Sequence, residues 1–129
     1  MIVAVCVDNE WGMTFYGKRL SRDREVVRDV MQSAPKVWVR RFSARLFAKE
    51  DVTVDDSCLE TAGEGELCFI ENADILPYAQ RIEKIILYRW NRDYPHDREF
   101  RLPGGFRRKN VTEFRGHSHE TITKEEYVK

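Results

Sequence analysis

Residues 2–7, Ile2-Val3-Ala4-Val5-Cys6-Val7, form an unbroken apolar run rich in β-branched side chains. That is the pattern of a strand covered on both faces, and it predicts a central strand. A loop with Gly12 and Gly17 follows. Ser21 then stands where it can cap a helix over about Arg22 to Gln32, with Asp23 and Glu25 in its first turn, where negative charge meets the positive end of the helix dipole. Val26, Val27, Val30 and Met31 make one apolar stripe at helical spacing, and Pro35 lies just past the end.

Lys36 to Val39 reads as a second buried strand, and Phe42 to Ala48 as a short helix with Phe42, Leu46 and Phe47 inward. Gly63-Glu64-Gly65 signals a turn before the apolar run Leu67-Cys68-Phe69-Ile70. Asn72 or Asp74 opens a helix with Pro77 in its first turns, and Lys84 to Trp90 is the next strand. Pro95, Pro103 and Gly104-Gly105 punctuate a longer connection into an antiparallel pair, about Arg107 to Arg115 and Thr121 to Val128.

Strands alternating with helices and ending in a hairpin predict an α/β fold, a mostly parallel central sheet flanked by helices with a C-terminal antiparallel hairpin. Residues 1–129 suit one domain with one core, since domains commonly run about 100 to 150 residues. Ligands on such sheets sit beyond the carboxyl ends of the strands. The loop from Asp8 to Ser21 and the turn after Val39 are therefore the places where a site is expected.

Composition changes this picture in two respects. The chain carries 22 basic and 22 acidic residues, but they are segregated. Basic residues dominate from Lys18 to Lys49, and Arg107-Arg108-Lys109 form a second run, whereas every charged residue from Glu50 to Asp74 is acidic. The basic block, centred on Arg40, Arg41 and Arg45, could face phosphates, nucleic acid or an acidic protein partner; alternatively the two blocks lie side by side and neutralise each other. Secondly, the opening apolar run has no basic residues before it and is too short for a signal peptide or a membrane span, so no membrane partner is expected. Cys6, Cys58 and Cys68 lack C-x-x-C spacing, which points to reduced thiols, a cytoplasmic setting and no structural zinc. The sequon Asn110-Val111-Thr112 would then meet no glycosylation enzyme.

Several motifs resemble those of dihydrofolate reductases. Val7-Asp8-Asn9-Glu10-Trp11-Gly12-Met13 followed by Leu20-Ser21-Arg22-Asp23 is similar to the family's V-D-x-x-x-G-[IM] and L-P-x-D. Lys36-Val37-Trp38-Val39-Arg40-Arg41-Phe42-Ser43 resembles K-P-V-I-M-G-R-x-T, Ile75-Leu76-Pro77-Tyr78-Ala79 resembles L-P-x-A, and Asp97-Arg98-Glu99-Phe100 with Pro103 resembles D-x-x-F-P. Phe114 to Val128 resembles the final hairpin. The resemblance touches nearly the whole chain in order and implies a shortened, divergent member of that fold. It implies that Asp23 is the catalytic acid that holds a pterin ring, a task for which a carboxylate can accept two N–H bonds. It also implies cofactor contacts from Arg41 to the 2'-phosphate of NADP, from Ser43 near the nicotinamide, and from Gly12 and Met13 in a mobile loop. If the chain is an enzyme, the resemblance makes it an NADP-dependent reductase.

Departures fall where that chemistry would occur. Glu71-Asn72 stands in place of the family's Gly-Gly pair, putting a negative charge where a dinucleotide should press. Arg40 replaces a glycine, Lys18-Arg19 replaces Pro-Trp, and Ala48 to Glu66 must serve for a longer section that includes a folate-tail arginine. These substitutions imply a degenerate protein that binds a pterin-like or nucleotide ligand near Asp23 without full reductase activity. His117-Ser118-His119 is the one cluster of metal-ligand type. A ribonuclease Z-type nuclease needs H-x-H-x-D-H and further ligands to hold two metal ions, and the motif here continues as Glu120-Thr121. Aromatic residues mixed with arginines are compatible with base stacking on single-stranded nucleic acid, although most are expected in the core. No Ser-His-Asp order stands out.

Overall fold

The computed structural model describes all 129 residues, Met1–Lys129. Ten strands build two sheets. In chain order they are β1 (Ile2–Val7), β2 (Gly12–Phe15), β3 (Lys18–Arg19), β4 (Val37–Val39), β5 (Thr53–Val54), β6 (Leu67–Phe69), β7 (Lys84–Arg89), β8 (Arg98–Glu99), β9 (Arg107–Phe114) and β10 (Ile122–Val128). The main sheet has the order β5-β4-β6-β1-β7-β10-β9, and a small sheet has the order β3-β2-β8. β1 lies at the centre and runs parallel to both β6 and β7, while β10 closes on β7 antiparallel and pairs with β9 in the hairpin.

Alternation along β1 explains the layers. Val3, Val5 and Val7 point to one face with Ile85 and Leu87 of β7, and Ile2 and Ala4 point to the other with Ile86 and Tyr88. Helix α1 (Arg24–Gln32) covers the second face with Val26, Val27 and Val30. The first face is covered by Leu59 of helix α3 (Cys58–Thr61), by Ile75 and Ile82 around a 3-10 helix (Leu76–Arg81), and by Met13, Phe100 and Phe106. No helix is long and apolar enough to cross a membrane.

The predicted parallel sheet, its central strand and the closing hairpin are all present, with three local corrections. Helix α1 starts two residues later than expected and is capped by Asp23, whose side chain accepts from the Glu25 N–H; Ser21 is not the cap. The expected helix from Phe42 to Ala48 is a four-residue α2 (Arg41–Ala44), followed by turns in which Leu46, Phe47 and Ala48 donate to carbonyls three residues back. The helix around Pro77 is of the tight 3-10 type. Pro77 has no N–H to give, and Asp74 Oδ1 takes the N–H of Leu76 at 3.1 Å.

The two edges of the main sheet differ from its centre. β5 is two residues long, and β9 is exposed along almost its whole length, with Arg107, Arg108 and Lys109 at its start. The register of the hairpin shifts between Glu126 and Tyr127. Burial therefore predicts opposite outcomes for two apolar truncations. Leu87→Ala, at a fully buried central position, lowers the unfolding free energy by about 2–5 kcal/mol in urea titration, whereas Val111→Ala on the exposed edge changes it by less than about 0.5 kcal/mol.

Candidate functional site

The carboxyl end of β1 runs straight into a buried acid. Asp8 is fully buried and accepts from the N–H groups of Gly12 at 2.7 Å, Glu10 at 2.9 Å and Tyr94 at 3.1 Å. His96 Nδ1 lies 3.0 Å from Asp8 Oδ2, and its Nε2 lies 3.1 Å from Glu99. Burial opposes the Asp8 charge, but the N–H groups of Gly12, Tyr94 and Glu10 outweigh it and hold the carboxyl below its usual range. Glu99, followed by Tyr94 O and Asp8, raises the His96 pKa against the cost of burial. This network ties the loop after β1 to the connection after β7. Gly12 permits it, since a Cβ there would lie 2.4 Å from the His96 ring.

A second buried acid, Asp23, stands at the start of α1. Asp23 Oδ1 accepts from the N–H groups of Glu25 and His117, each at 2.9 Å, and Oδ2 accepts from the Ser118 N–H at 2.9 Å and pairs with His119 Nδ1 at 2.9 Å. Gly116 is required beside it, because a Cβ there would meet Asp23 Oδ2 at 2.6 Å. Burial again opposes the charge, and the His117 N–H, the His119 ring and the N–H groups of Glu25 and Ser118 more than compensate. The Asp23 carboxyl is held far below the ordinary carboxylate range. His119 is itself buried, stacks on Trp90 at 4.7 Å between centroids, and has Nε2 2.9 Å from Ser21 Oγ.

A third polar cluster joins Arg19 of β3, Ser43 of α2 and Glu71, which follows β6. Arg19 donates in fork fashion to Glu71, with Nε at 2.8 Å and Nη2 at 2.7 Å, and Ser43 Oγ donates to Glu71 Oε2 at 2.6 Å. The remaining cavity, lined by Cys6, Ser21, Val26, Leu46, Phe69 and Trp90 among others, holds only about 10 Å3. That is about the space of one water molecule. Outside it opens a cleft of about 400 Å3 between the start of α1 and residues 45–50. Arg22, Arg24, Arg45 and Lys49 line this cleft with Asp23, Val27 and Leu46. A larger concavity of about 650 Å3 lies along the hairpin turn, between Arg92 and residues 113–121, with one apolar residue in its wall.

The residues singled out in the sequence do not gather at one point. Asp23 lies at the inner wall of the cleft, and Ser43 sits in the Arg19–Glu71 cluster. Gly12 and Met13 belong to β2, Gly12 packed on His96 and Met13 buried in the core. Arg41 is at the start of α2, its side chain 86% exposed and 3.8 Å from Asp56. Of the basic block, Arg40 donates to Asn72 at 2.9 Å and Arg19 is paired with Glu71, so part of the two charge blocks meets face to face. Sequence reading missed Arg19 as a partner of Glu71, and Ser21 and His119 as partners of each other. The only available signal was charge opposition at Arg19 and Glu71.

No family model and no curated protein matches the chain. Among solved structures, it is similar to the dihydrofolate reductase from Enterococcus faecalis complexed with NADP(H) and RAB-propyl, with a TM-score of 0.68 at 11% identity, covering 99% of this chain and 95% of that one. The chain therefore has a dihydrofolate-reductase-like fold.

The Asp23 network carries two measurable consequences. Asp23→Ala removes a helix cap and leaves the part-buried His117 and Ser118 N–H groups and the buried His119 ring without their acceptor, lowering the unfolding free energy by about 2–4 kcal/mol. A carboxyl whose folded pKa is depressed stabilises the fold above its unfolded value, near 3.9, and that contribution is lost as pH falls toward the folded value. Stability measured between about pH 3 and pH 7 therefore declines on the acid side, and Asp23→Asn flattens part of that decline.

Proposed function

We propose that the chain is a dihydrofolate-reductase-like binding protein without full reductase activity, and that it takes a small anionic heterocycle, pterin-like or nucleotide, in the cleft beside Asp23. The observation that carries this reading is the cleft of about 400 Å3 with Arg22, Arg24, Arg45 and Lys49 around it. Its volume suits a small ligand, and four cations without an equal number of acids favour a negatively charged one. The likeness in fold to a reductase complexed with NADP(H) and a second ligand supports small-ligand binding on this scaffold.

NADP itself does not suit the residues present. Glu71 stands where the resemblance has a Gly-Gly pair, and its carboxylate, bonded to Arg19 and Ser43, lines the small inner cavity. A nicotinamide dinucleotide pressed against this position would meet the Glu71 carboxylate and disturb its fork of bonds to Arg19. On this reading Arg41 stays beside Asp56 and Ser43 orients Glu71. The pattern of Asp23 bonds favours an orienting role at the wall of the cleft over direct proton delivery, because its oxygens already accept from four groups. A nucleic-acid or acidic-protein partner is less favoured, since Arg40 is engaged by Asn72 and Arg41 lies beside Asp56, leaving Arg45 to face the cleft.

The test is a thermal-shift and calorimetry panel of pteroic acid, adenosine and guanosine monophosphates, and NADPH on the full chain. At a 100-fold excess over Kd, a ligand of the cleft adds about 2.7 kcal/mol, which raises Tm by roughly 10 °C. The expected result is a shift with a pterin acid or a mononucleotide, none with NADPH, and a loss of affinity of about tenfold or more in Arg45→Ala/Lys49→Ala. No shift with any of these compounds would overturn the proposal.

A further inference from the structure

The geometry points to a second chemistry at the inner end of the cleft: Ser21, His119 and Asp23 form a nucleophile, base and orienting acid for acyl transfer from a short-chain ester. Ser21 Oγ is 2.9 Å from His119 Nε2, and His119 Nδ1 is 2.9 Å from Asp23 Oδ2. An ionised carboxylate only accepts hydrogen bonds, so His119 carries its proton on Nδ1 when neutral. Nε2 is then the acceptor, and the Ser21 hydroxyl donates to it. This is the arrangement in which a hydroxyl is activated by an adjacent base that a third group holds in place, and it is recognised by geometry whatever the order in the chain.

The surroundings fit this use. His119 cannot turn away, since its ring stacks on Trp90 at 4.7 Å and is buried. Asp23 is fixed in turn by the N–H groups of Glu25, His117 and Ser118. Ser21 is half-buried in the loop between β3 and α1, where it lines the small cavity with Cys6, Leu46, Phe69 and Trp90. The backbone N–H of Arg22, the residue after it, donates no hydrogen bond within the chain and is free to receive a developing oxyanion. The small cavity and the larger cleft share Arg22, Asp23, Val27 and Leu46, so the two spaces adjoin. The inner space holds about one water and takes no acyl group, so a short ester lies in the cleft with its carbonyl at the wall that the two spaces share, at Arg22 and Asp23.

The steps balance without a co-reactant other than water. Ser21 Oγ bonds to the ester carbonyl carbon as its proton passes to His119 Nε2, and the oxyanion meets the Arg22 N–H. Collapse breaks the bond to the alcohol oxygen, which leaves with the proton from His119. Water then attacks the acyl-serine, His119 again taking and returning the proton, and the carboxylic acid departs. Asp23 touches no substrate; it is a positioning residue.

The experiment treats the full folded chain with a biotin-tagged fluorophosphonate and with p-nitrophenyl acetate. Fluorophosphonate forms an Oγ–P bond, with fluoride leaving, and the adduct is read by intact mass and peptide mapping. The expected result is one adduct on Ser21, absent in Ser21→Ala, with p-nitrophenol release falling in parallel. His119→Gln slows labelling by about 100-fold or more. Ser21→Ala removes one hydroxyl from a loop, so loss of label in that variant is read against an unchanged melting curve. If His119→Gln fails to fold, the Ser21→Ala comparison decides. No adduct on Ser21 of the folded wild type, or equal ester hydrolysis in wild type and Ser21→Ala, overturns the proposal.

Discussion

One carboxylate joins the two ends of the chain. Asp23 begins helix α1, yet two of the N–H groups it accepts come from His117 and Ser118, separated from it by 94 and 95 residues. A helix cap and a hairpin turn are usually satisfied locally; here the same two oxygens serve both. The cost of burying the charge is offset only when all donors are present, which makes the position of α1 on the sheet and the shape of the hairpin turn parts of one cooperative unit. The cleft wall, the orientation of His119 and the contact to Ser21 all follow from that shared anchor.

The main sheet was legible in the sequence because its signals are local. β1 and β7 are continuous apolar runs, and their two-residue alternation sorts side chains between the faces without reference to anything distant. The small sheet was not legible. β2, β3 and β8 are two to four residues long, and Gly12 pairs with Glu99, a residue far away in the sequence. The start of α1 was missed by two residues for a related reason: Ser21 and Asp23 are both good caps by type, and what selects Asp23 is the distant turn that needs its oxygens.

The candidate site divides in the same way. Asp23 was singled out by resemblance and lines the cleft, and Glu71 was singled out as standing where the resemblance has a Gly-Gly pair. What that departure does could not be read, since the partner of Glu71 is Arg19, a residue in another stretch of the chain that looked only like a lost Pro-Trp. Likewise His117-Ser118-His119 suggested metal ligands as a string of letters. In the folded chain the two histidines differ: His119 is buried with both nitrogens engaged, and His117 contributes its backbone N–H. A fold of this type can be retained at 11% identity because core alternation is degenerate in residue choice, whereas each polar contact at the cleft needs a particular pair.

An open seven-stranded sheet ends in two rows of backbone groups, and each end here carries its own protection against accepting a stranger. β5 is too short, at two residues, to template a partner, and β9 opens on three consecutive cations beside a break in register. A second copy laid against β9 in antiparallel register centred on Lys109 would bring these cations toward like charges before the remaining backbone groups could pair. The basic run at Arg107 to Lys109 thus disfavours the pairing of two copies edge to edge in that register.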